Sequence, residues 1–440
     1  MKCEEVRDEM IAYLKGELDE ERRKEIDEHL ARCHGCQREL ELSQRVLFQT
    51  QAANEPSVVD MADSIIKDAV EKNASDVHIE PTQDGADIRF RIDGVLYPVG
   101  QLSVQERDAL IARIKLTGGM SIMENRLPQD GRLSTKVNDI EYDLRVSITP
   151  LVFGEKMAMR ILSKATLLLG LDKLGFLPEQ MEMVKNLVHQ PPGMVVVTGP
   201  TGAGKTTTLY SMLLEIRNPA LNIMTIEDPV EYLLKGVQQA QVNVKAGLTF
   251  AVALRSFMRQ DPDVIMLGQI RDLETGEVAL AAAVTGHLVL TALHTVDAPS
   301  AAVRMVDVGL EPFLVGQSLL GVIAQRLVRK VCPDCREEYT PSDESLDFLG
   351  LKNQVGKAKF YRGAGCEVCR DTGVRARTGI FEVLVIDREL GRMIAEKKDA
   401  DAICKRAVEK GFITMAEVAR KKVLEGITTA EEAYRVLSYR

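Results

Sequence analysis

The chain has 440 residues, 45% of them hydrophobic and 28% charged, and a formal net charge of −9. One core rarely organises more than about 250–300 residues, so the length indicates a globular protein of several domains. The acidic charge, the sparse aromatics and the lack of Trp argue against broad nucleic-acid binding, which depends on basic surfaces and stacking rings. We therefore expect no nucleic-acid partner.

The hydropathy of the chain argues against a membrane span, because no run reaches the ~18 uninterrupted apolar residues that a spanning helix needs. The apolar run 278–293 is broken by Thr285, Gly286 and His287, and it is predicted to be a buried helix, a turn and a buried strand. The acidic start, Met-Lys-Cys-Glu-Glu, differs from a secretory signal. We expect a cytoplasmic chain that reaches a membrane only through partners.

Residues 1–50 are predicted to form a short helical module that binds Zn²⁺, and residues 51–57 to form a linker. The candidate ligands are Cys3, His29, Cys33 and Cys36. His29 and Cys33 are four residues apart and share one helical face, so both can point at one ion. An amphipathic hairpin with incidental thiols is the alternative.

Residues 58–165 are predicted to form a small α+β domain, and residues 166–176 an interdomain linker. Helices are expected at 58–72 and near 103–117, and the other runs alternate apolar and polar residues as strands do. This domain contributes arginines that could contact phosphates or simply be solvated: Arg89, Arg91, Arg132 and Arg145.

Residues 177–440 show short apolar strands separated by helices, which predicts an α/β domain with a parallel, helix-covered sheet. The predicted strands are 195–198, 223–226, 264–267 and 288–293. A Gly- and Cys-rich insert at about 330–379 interrupts this pattern, and the remainder to Arg440 is predicted to be short helices.

The run from Gly199 to Thr206 matches the P-loop pattern and follows the first of these strands. Its glycines let backbone N–H groups close around phosphate oxygens at the start of a helix. Lys205 is expected to reach the β- and γ-phosphates and Thr206 to ligate Mg²⁺, so ATP and Mg²⁺ are the expected ligands. The candidate binding residues are Gly199, Pro200, Thr201, Gly202, Ala203, Gly204, Lys205, Thr206 and Thr207. A glycine-rich turn that matches by chance is the alternative, and the preceding strand argues against it.

Polar groups also follow the next two strands, where open α/β sheets bind ligands. Glu227 ends the second strand, and Gln269 lies at the polar tip of a Walker B-like third strand. Either strand end could polarise the attacking water, although Glu227 could also be a solvated turn carboxylate.

His287 and His294 bracket the fourth strand, seven residues apart and on opposite faces, so we expect no shared metal site. His294, at the C-terminal end, is the candidate γ-phosphate sensor, whereas His287 could equally be a core histidine. Arg255 and Arg259 are predicted to share a helical face before the Walker B-like strand, and Arg271 follows it. Fixed positive charge suits a reacting phosphate, but most surface arginines are only solvated.

Two C-x2-C pairs lie in the predicted insert, and they comprise Cys332, Cys335, Cys366 and Cys369. Four thiolates in paired knuckles suit tetrahedral Zn²⁺ and can hold together an insert that lacks its own core. Unmetallated, reduced thiols are the alternative.

Taken together, these motifs resemble those of the secretion ATPase superfamily, in particular type II secretion and type IV pilus assembly ATPases. The resemblance covers about residues 58–440. It is carried by 75–81, 89–94, 129–132, the P-loop, 225–231, 255–271, 285–295, the paired cysteines and 426–429. It implies a hexameric, RecA-like motor whose 58–165 domain lies over the nucleotide of a neighbouring subunit. The arginines of both domains are then candidate phosphate contacts.

The same resemblance implies a partner, an inner-membrane platform protein that adds pilin-like subunits. The paired cysteines resemble those of assembly and secretion members rather than retraction motors. Residues 1–45 resemble the zinc-binding domain of anti-sigma factors, which leaves the protein partner of the module open.

Gln269 departs from the family pattern, in which Glu usually occupies this position. A Gln cannot take a proton, and loss of a general base typically costs ~10²–10⁴-fold in rate. Either Glu227 is the base and hydrolysis is slow, or the chain is a nucleotide-gated scaffold that binds ATP without sustained turnover. A retraction or DNA-uptake motor is a weaker alternative.

Overall fold

The computed structural model describes residues 3–15, 18–48, 58–163, 169–190 and 192–438. Its contacts divide the chain into two compact units, Met1–Thr166 and Leu167–Arg440. The predicted linker 51–57 lies outside the described residues, as do residues 166–168 of the second predicted linker. Within that second linker, Leu171–Lys173 forms a 3-10 turn.

The first unit begins with four helices: α1 (Cys3–Asp8), α2 (Met10–Lys15), α3 (Glu20–Leu30) and α4 (His34–Phe48). Helix α3 begins after Asp19, whose carboxylate accepts a hydrogen bond of 2.8 Å from the Arg22 N–H and so caps the helix. The described core of these helices consists of Val6, Met10, Ile26, Leu30 and Cys36. The helical pattern expected for this stretch is confirmed.

An antiparallel six-stranded sheet follows, in the order β3-β2-β1-β6-β5-β4. Its strands are β1 (Ala74–Thr82), β2 (Gly85–Ile92), β3 (Val95–Ser103), β4 (Gln129–Val137), β5 (Ile140–Leu151) and β6 (Gly154–Ser163). Helices α5 (Val58–Glu71) and α6 (Val104–Thr117) contribute to the same core as its apolar face, where Val77, Ile79 and Phe90 are buried. Because strand side chains alternate, the opposite face presents the charged residues.

The second unit contains a seven-stranded sheet in the order β15-β12-β7-β11-β10-β8-β9. Its strands are β7 (Gly193–Thr198), β8 (Ile223–Glu227), β9 (Gln238–Gln241), β10 (Val264–Leu267), β11 (Leu288–Leu293), β12 (Leu319–Val331) and β15 (Val374–Val385). All neighbours run parallel except β12 and β15. The expected α/β class and the four predicted strands are confirmed.

Helices cover both faces of this sheet, as the alternation of β7 shows. Met194 and Val196 enter one hydrophobic cluster, whereas Val195 and Val197 enter the other. The helices are α7 (Pro178–Val188), α8 (Lys205–Ile216), α9 (Phe250–Phe257), α10 (Leu273–Val284), α11 (Ala298–Asp307), α12 (Pro312–Ser318), α13 (Asp343–Phe348), α14 (Arg388–Ala395), α15 (Ala400–Glu409), α16 (Met415–Leu424) and α17 (Ala430–Ser438). A small sheet of β13 (Arg336–Tyr339) and β14 (Phe360–Gly363) lies between β12 and β15 in the chain.

The prediction that everything after the insert is helical is wrong, because β15 continues to Val385 and pairs with β12. Polar residues interrupt the apolar pattern of β12, but the fold supplies partners for them. Gln325 donates to the Ala203 carbonyl at 2.6 Å, and Arg326 donates to the Val436 carbonyl at 2.9 Å. Among the described helices, none combines the length and the hydropathy needed to cross a bilayer.

Candidate functional site

The P-loop connects β7 to α8 in a conformation that requires glycine. Gly199, Gly202 and Gly204 have φ angles of +150°, +78° and +87°. A Cβ on Gly199 would lie 2.4 Å from the carbonyl oxygen of Gln325, so a side chain there would collide with backbone. Gly204 is the N-cap of α8, and the loop therefore leads directly into a helix N-terminus that favours phosphate.

Lys205 lies across this loop. Its Nζ donates to the carbonyl oxygens of Gly199 at 2.7 Å and Pro200 at 3.0 Å, and lies 3.3 Å from Nδ1 of His294. Burial lowers the pKa of Lys205 to about 8. Of the other predicted binding residues, Pro200, Thr201, Gly202, Thr206 and Thr207 are exposed, whereas Gly199 and Ala203 are buried.

A line of contacts joins Lys205 to the ends of three neighbouring strands. His294 follows β11, and its Nε2 lies 3.3 Å from the side-chain amide of Gln269, which follows β10. The amide of Gln269 forms its hydrogen bonds when its oxygen faces Arg271 and accepts from Nε and Nη2 of that residue. Arg271 Nη1 then lies 3.3 Å from the Asp228 carboxylate, after β8. Because β7, β11, β10 and β8 are adjacent and parallel, their ends bring these residues together.

The electrostatics of this line favour an anion. Burial lowers the pKa of His294, and the charges of Lys205 and Arg271 lower it further, so the imidazole is neutral near pH 7. The carboxylate of Asp228 lies at the far end of the line, next to Arg271. The other end, at the P-loop, has the ammonium of Lys205 and the backbone N–H groups that begin α8, which are the groups that a phosphate needs.

Glu227 is buried, with 3% of its surface exposed, so the alternative that it is a solvated turn carboxylate is wrong. Its Oε1 accepts from Thr225 at 2.6 Å and from Gln239 at 3.0 Å, and its Oε2 accepts from the Tyr210 hydroxyl. Both carboxylate oxygens are thus engaged by residues of the same unit. Such hydrogen bonding is more typical of a structural carboxylate, here one that fixes the end of β8, than of a general base.

Arg255 and Arg259 do not share a helical face, because α9 ends at Phe257 and Arg259 lies in the turn beyond it. Both side chains are exposed. Arg255 donates to Glu274 at 2.9 Å, and Arg259 donates to the Arg255 carbonyl at 2.7 Å. These contacts lie apart from the line that starts at Lys205, and their predicted role in phosphate binding stays a prediction.

In the first unit, a row of arginines crosses the polar face of the sheet. In register order the row is Arg132, Arg145, Arg160, Asp76 and Arg91. Asp76 accepts from Arg160 Nε at 3.1 Å and lies 3.7 Å from Arg91 Nε. Arg89 is one row away and pairs with Glu80. Like charges directly opposite destabilise a sheet, so the surplus of arginines suits an anionic ligand.

Arg160 is absent from the sequence-based candidates, although it belongs to this row. The alternation of β6 offered a signal, because Met157 and Met159 are buried whereas Lys156 and Arg160 point to the other face. The register that places Arg160 between Arg145 and Asp76 depends on strand pairing, which the sequence does not show.

The four cysteines of the insert come together with spacings that fit Zn²⁺. The Sγ–Sγ distances are 4.0 Å for Cys332–Cys366, 3.7 Å for Cys335–Cys369 and 3.6 Å for Cys366–Cys369. Ligands ~2.3 Å from a tetrahedral ion would lie ~3.8 Å apart. Burial raises the pKa of the Cys369 thiol, but hydrogen bonds from the N–H groups of Cys366 and Gly373 lower that pKa to about 7, which favours a thiolate.

The N-terminal cluster also fits a tetrahedral ion. Sγ of Cys3 lies 3.6 Å from Nε2 of His29 and 3.8 Å from Sγ of Cys33. Cys36 completes the set, and one ligand atom from each of the four residues lies within 4.8 Å of the others. His34 lies outside the cluster and contacts Gln37.

Comparisons with known proteins agree with this architecture. A family model described as "Type II/IV secretion system protein" matches residues 51–435, and a zinc-finger family model matches residues 3–37. The type IV pilus assembly ATPase PilB of Thermus thermophilus is 47% identical over 369 residues, which cover 84% of this chain but only 42% of that protein. The type II secretion system protein E of Pseudomonas aeruginosa is 43% identical over 379 residues, which cover 86% of this chain and 75% of that protein.

Solved structures show the same fold. The pilus retraction motor PilT with bound ADP has a TM-score of 0.56 and 28% identity, and the match covers 84% of this chain and 95% of PilT. The Legionella pneumophila ATPase DotB has a TM-score of 0.63 at 22% identity, covering 88% of this chain and 96% of DotB. The chain therefore belongs to the type II/IV secretion system protein family, within the secretion ATPase superfamily.

Proposed function

We propose that this protein is an ATP-binding and ATP-hydrolysing motor that powers the assembly of pilus or pseudopilus subunits in a type IV pilus or type II secretion system. The observation that carries the proposal is the P-loop followed by the line Lys205–His294–Gln269–Arg271 at adjacent strand ends. The named relatives support the choice of machine.

The P-loop residues are proposed to bind the triphosphate, with backbone N–H groups and Lys205 holding its oxygens. Thr206, exposed in the first turn of α8, would ligate Mg²⁺, which neutralises charge on the β- and γ-phosphates. In a homohexamer, as the family resemblance implies, the arginine row of the first unit would contact the phosphates bound by a neighbouring subunit. Zn²⁺ is proposed for both four-ligand clusters.

The proposed place of action is the cytoplasmic face of the inner membrane, which the motor reaches through an inner-membrane platform protein. The zinc module at the N-terminus is proposed to bind a further protein whose identity the resemblance to anti-sigma factors does not supply. No nucleic-acid partner is proposed, because the net charge of the chain is −9.

The substitution Lys205→Ala tests nucleotide binding. A hydrogen bond to a charged partner is worth ~1.5–3 kcal/mol, so its loss is expected to weaken ATP affinity roughly 10–100-fold. Titration with a fluorescent ATP analogue measures this change. Lys245→Ala is the matched control, because Lys245 is an exposed lysine of the turn Val244–Ala246 and does not belong to the P-loop. Parent-like affinity in Lys205→Ala would remove the basis of the motor proposal.

A nucleotide-gated scaffold is the second candidate, and two observations favour it. Gln269 occupies the strand end where a base is expected, and both oxygens of Glu227 are already hydrogen-bonded. Steady-state phosphate release by the parent and by Gln269→Glu separates the two candidates. A parent rate ~10²–10⁴-fold below the variant favours the scaffold, whereas comparable, substantial turnover in both excludes it.

A further inference from the structure

Gln269 lies between two groups whose hydrogen-bonding demands conflict. On one side Arg271 offers only donors, since a guanidinium stays protonated. On the other side His294, held neutral by burial and by the charges of Lys205 and Arg271, has one donor and one acceptor nitrogen. The orientation of a single amide therefore decides which nitrogen of His294 carries the proton.

The distances from Arg271 to the Gln269 side chain determine the orientation of the amide. Arg271 Nε lies 2.5 Å from one amide atom of Gln269, and Nη2 also contacts it, so that atom must be the oxygen. The amide NH₂ then faces Nε2 of His294 at 3.3 Å, and Nε2 must accept. A neutral imidazole that accepts at Nε2 carries its proton on Nδ1.

The opposite arrangement is less favourable. If Lys205 donated to Nδ1, the proton would move to Nε2 and the amide oxygen would turn toward His294. The amide NH₂ would then face the two N–H groups of Arg271 in the shortest contact of the line. The contact between Nδ1 and Lys205, at 3.3 Å, is longer, and Lys205 already has the carbonyl oxygens of Gly199 and Pro200 as acceptors.

We propose that Gln269 is a positioning residue that holds His294 as its Nδ1–H tautomer, so that the imidazole presents a hydrogen-bond donor to the P-loop. A nucleotide phosphate held by Lys205 would then accept from both Lys205 and His294. This second part rests on the proposed nucleotide-binding function, whereas the tautomer itself is a property of the free protein.

A carboxylate at position 269 would reverse the tautomer. Both of its oxygens accept, so one would bind Arg271 and the other would accept from His294 Nε2–H. Nδ1 would then carry a lone pair toward the P-loop and accept from Lys205. The amide therefore does more than fill the space of the family's usual Glu. It lets His294 donate a hydrogen bond toward the P-loop while the imidazole stays neutral, with a single ring proton.

Selective ¹⁵N labelling of histidine tests the assignment in the full-length protein without nucleotide. The chain has six histidines, and His294→Asn identifies the signal of interest. The parent is expected to show a protonated Nδ1 and an unprotonated Nε2 at His294, and Gln269→Glu the reverse. His287 is the internal reference, because its Nδ1 lies 2.9 Å from the Ala282 carbonyl and must donate in both proteins.

Gln269→Met is the second variant, in case the new charge disturbs folding. Methionine offers no strong donor to Nε2, so Lys205 decides the tautomer and the proton is expected on Nε2. The proposal is overturned if the parent carries the proton on Nε2, or if both variants keep the parent tautomer.

ATP titration of the same samples tests the phosphate part. Loss of one donor is expected to weaken ATP binding roughly tenfold in Gln269→Met, and unchanged affinity would overturn this part. If the parent shows the Nδ1–H tautomer but binds no ATP, the motor proposal fails while the assignment of the tautomer stands.

Discussion

The two four-ligand clusters share a ligand geometry but differ in what surrounds them. The N-terminal cluster is part of a module whose described core is five buried residues, one of which, Cys36, is itself a ligand. The insert cluster is attached to a large sheet, since Val331 N–H donates to the Ile427 carbonyl at 2.9 Å and Cys332 N–H to the Gly373 carbonyl at 3.0 Å. The same ion would thus organise a whole fold in one place and hold only the segment between β12 and β15 in the other.

The largest expected effect is at the N-terminal cluster, where Cys33→Ser should unfold the module. Structural Zn²⁺ contributes on the order of 10 kcal/mol to a small metal-dependent fold, and five buried residues cannot replace it. Zinc content should fall by one ion per chain, and proteases should cleave within residues 3–48. His34→Ala is the control because His34 lies outside the cluster. Unchanged zinc content in Cys33→Ser would refute the site.

An intermediate effect is expected for Cys369→Ser, which should release the zinc of the insert and loosen only the segment between β12 and β15. The sheet has its own apolar clusters, so ATP affinity should stay within about twofold and the melting temperature should fall by ~2–4 °C for each kcal/mol lost. Cys404→Ser, outside both clusters, is the control. If Cys369→Ser instead unfolded the whole second unit cooperatively, that unit would depend on its metal as much as the N-terminal module does, and the prediction would be wrong.

The smallest expected effect concerns Glu432, which ties β12 to α17 without metal. Its carboxylate accepts from the Arg329 N–H at 3.0 Å, from Arg329 Nη2 at 2.8 Å and from Arg435 Nη2 at 2.7 Å. Burial raises the pKa of Glu432, but the donors outweigh it and the pKa falls below its ordinary value. Glu432→Gln should therefore cost ~1–3 kcal/mol at pH 7.

The sign of the pH dependence follows from that pKa. Because the folded-state pKa is depressed, the unfolded chain binds more protons, and the stability from Glu432 is present above about pH 4.5 and lost as pH falls through the folded-state pKa. Thermal melting should show a smaller difference between the parent and Glu432→Gln at pH 4 than at pH 7, because pH 4 already lies below the ordinary pKa of a glutamate. Glu425→Gln is the control, because Glu425 is exposed, and its melting temperature should differ from that of the parent by the same small amount at both pH values. An equal difference at both pH values for Glu432→Gln would contradict the ion-pair account.

Much of the second unit was predictable because local rules and the global fold agree. Short, mostly apolar runs predicted β7, β8, β10 and β11, and a glycine-rich run after β7 predicted the P-loop. Parallel strands end at one edge of a sheet, so residues as distant as Lys205, Gln269 and His294 could be expected to meet. The spacing of cysteine pairs likewise predicted which thiols come together, because a tetrahedral ion accepts few geometries.

Strand β12 was harder to predict, since Gln325 and Arg326 interrupt its apolar pattern and distant carbonyl groups accept hydrogen bonds from both side chains. The arginine row depends on the register of five strands, and Arg160 joins it only through pairing with β5 and β1. The burial of Glu227 depends on Tyr210 and Gln239, which come from other elements.

The sequence by itself determined the family, the phosphate loop and the metal ligands, because each depends on residue types at short, fixed spacings. The tertiary structure alone decided how those residues are used: which carboxylate is engaged, which arginines share a row, and which way the amide of Gln269 faces. The physical reason is that hydrogen-bond direction and burial are set by neighbours from distant parts of the chain, and one such neighbour is enough to decide the role of a residue.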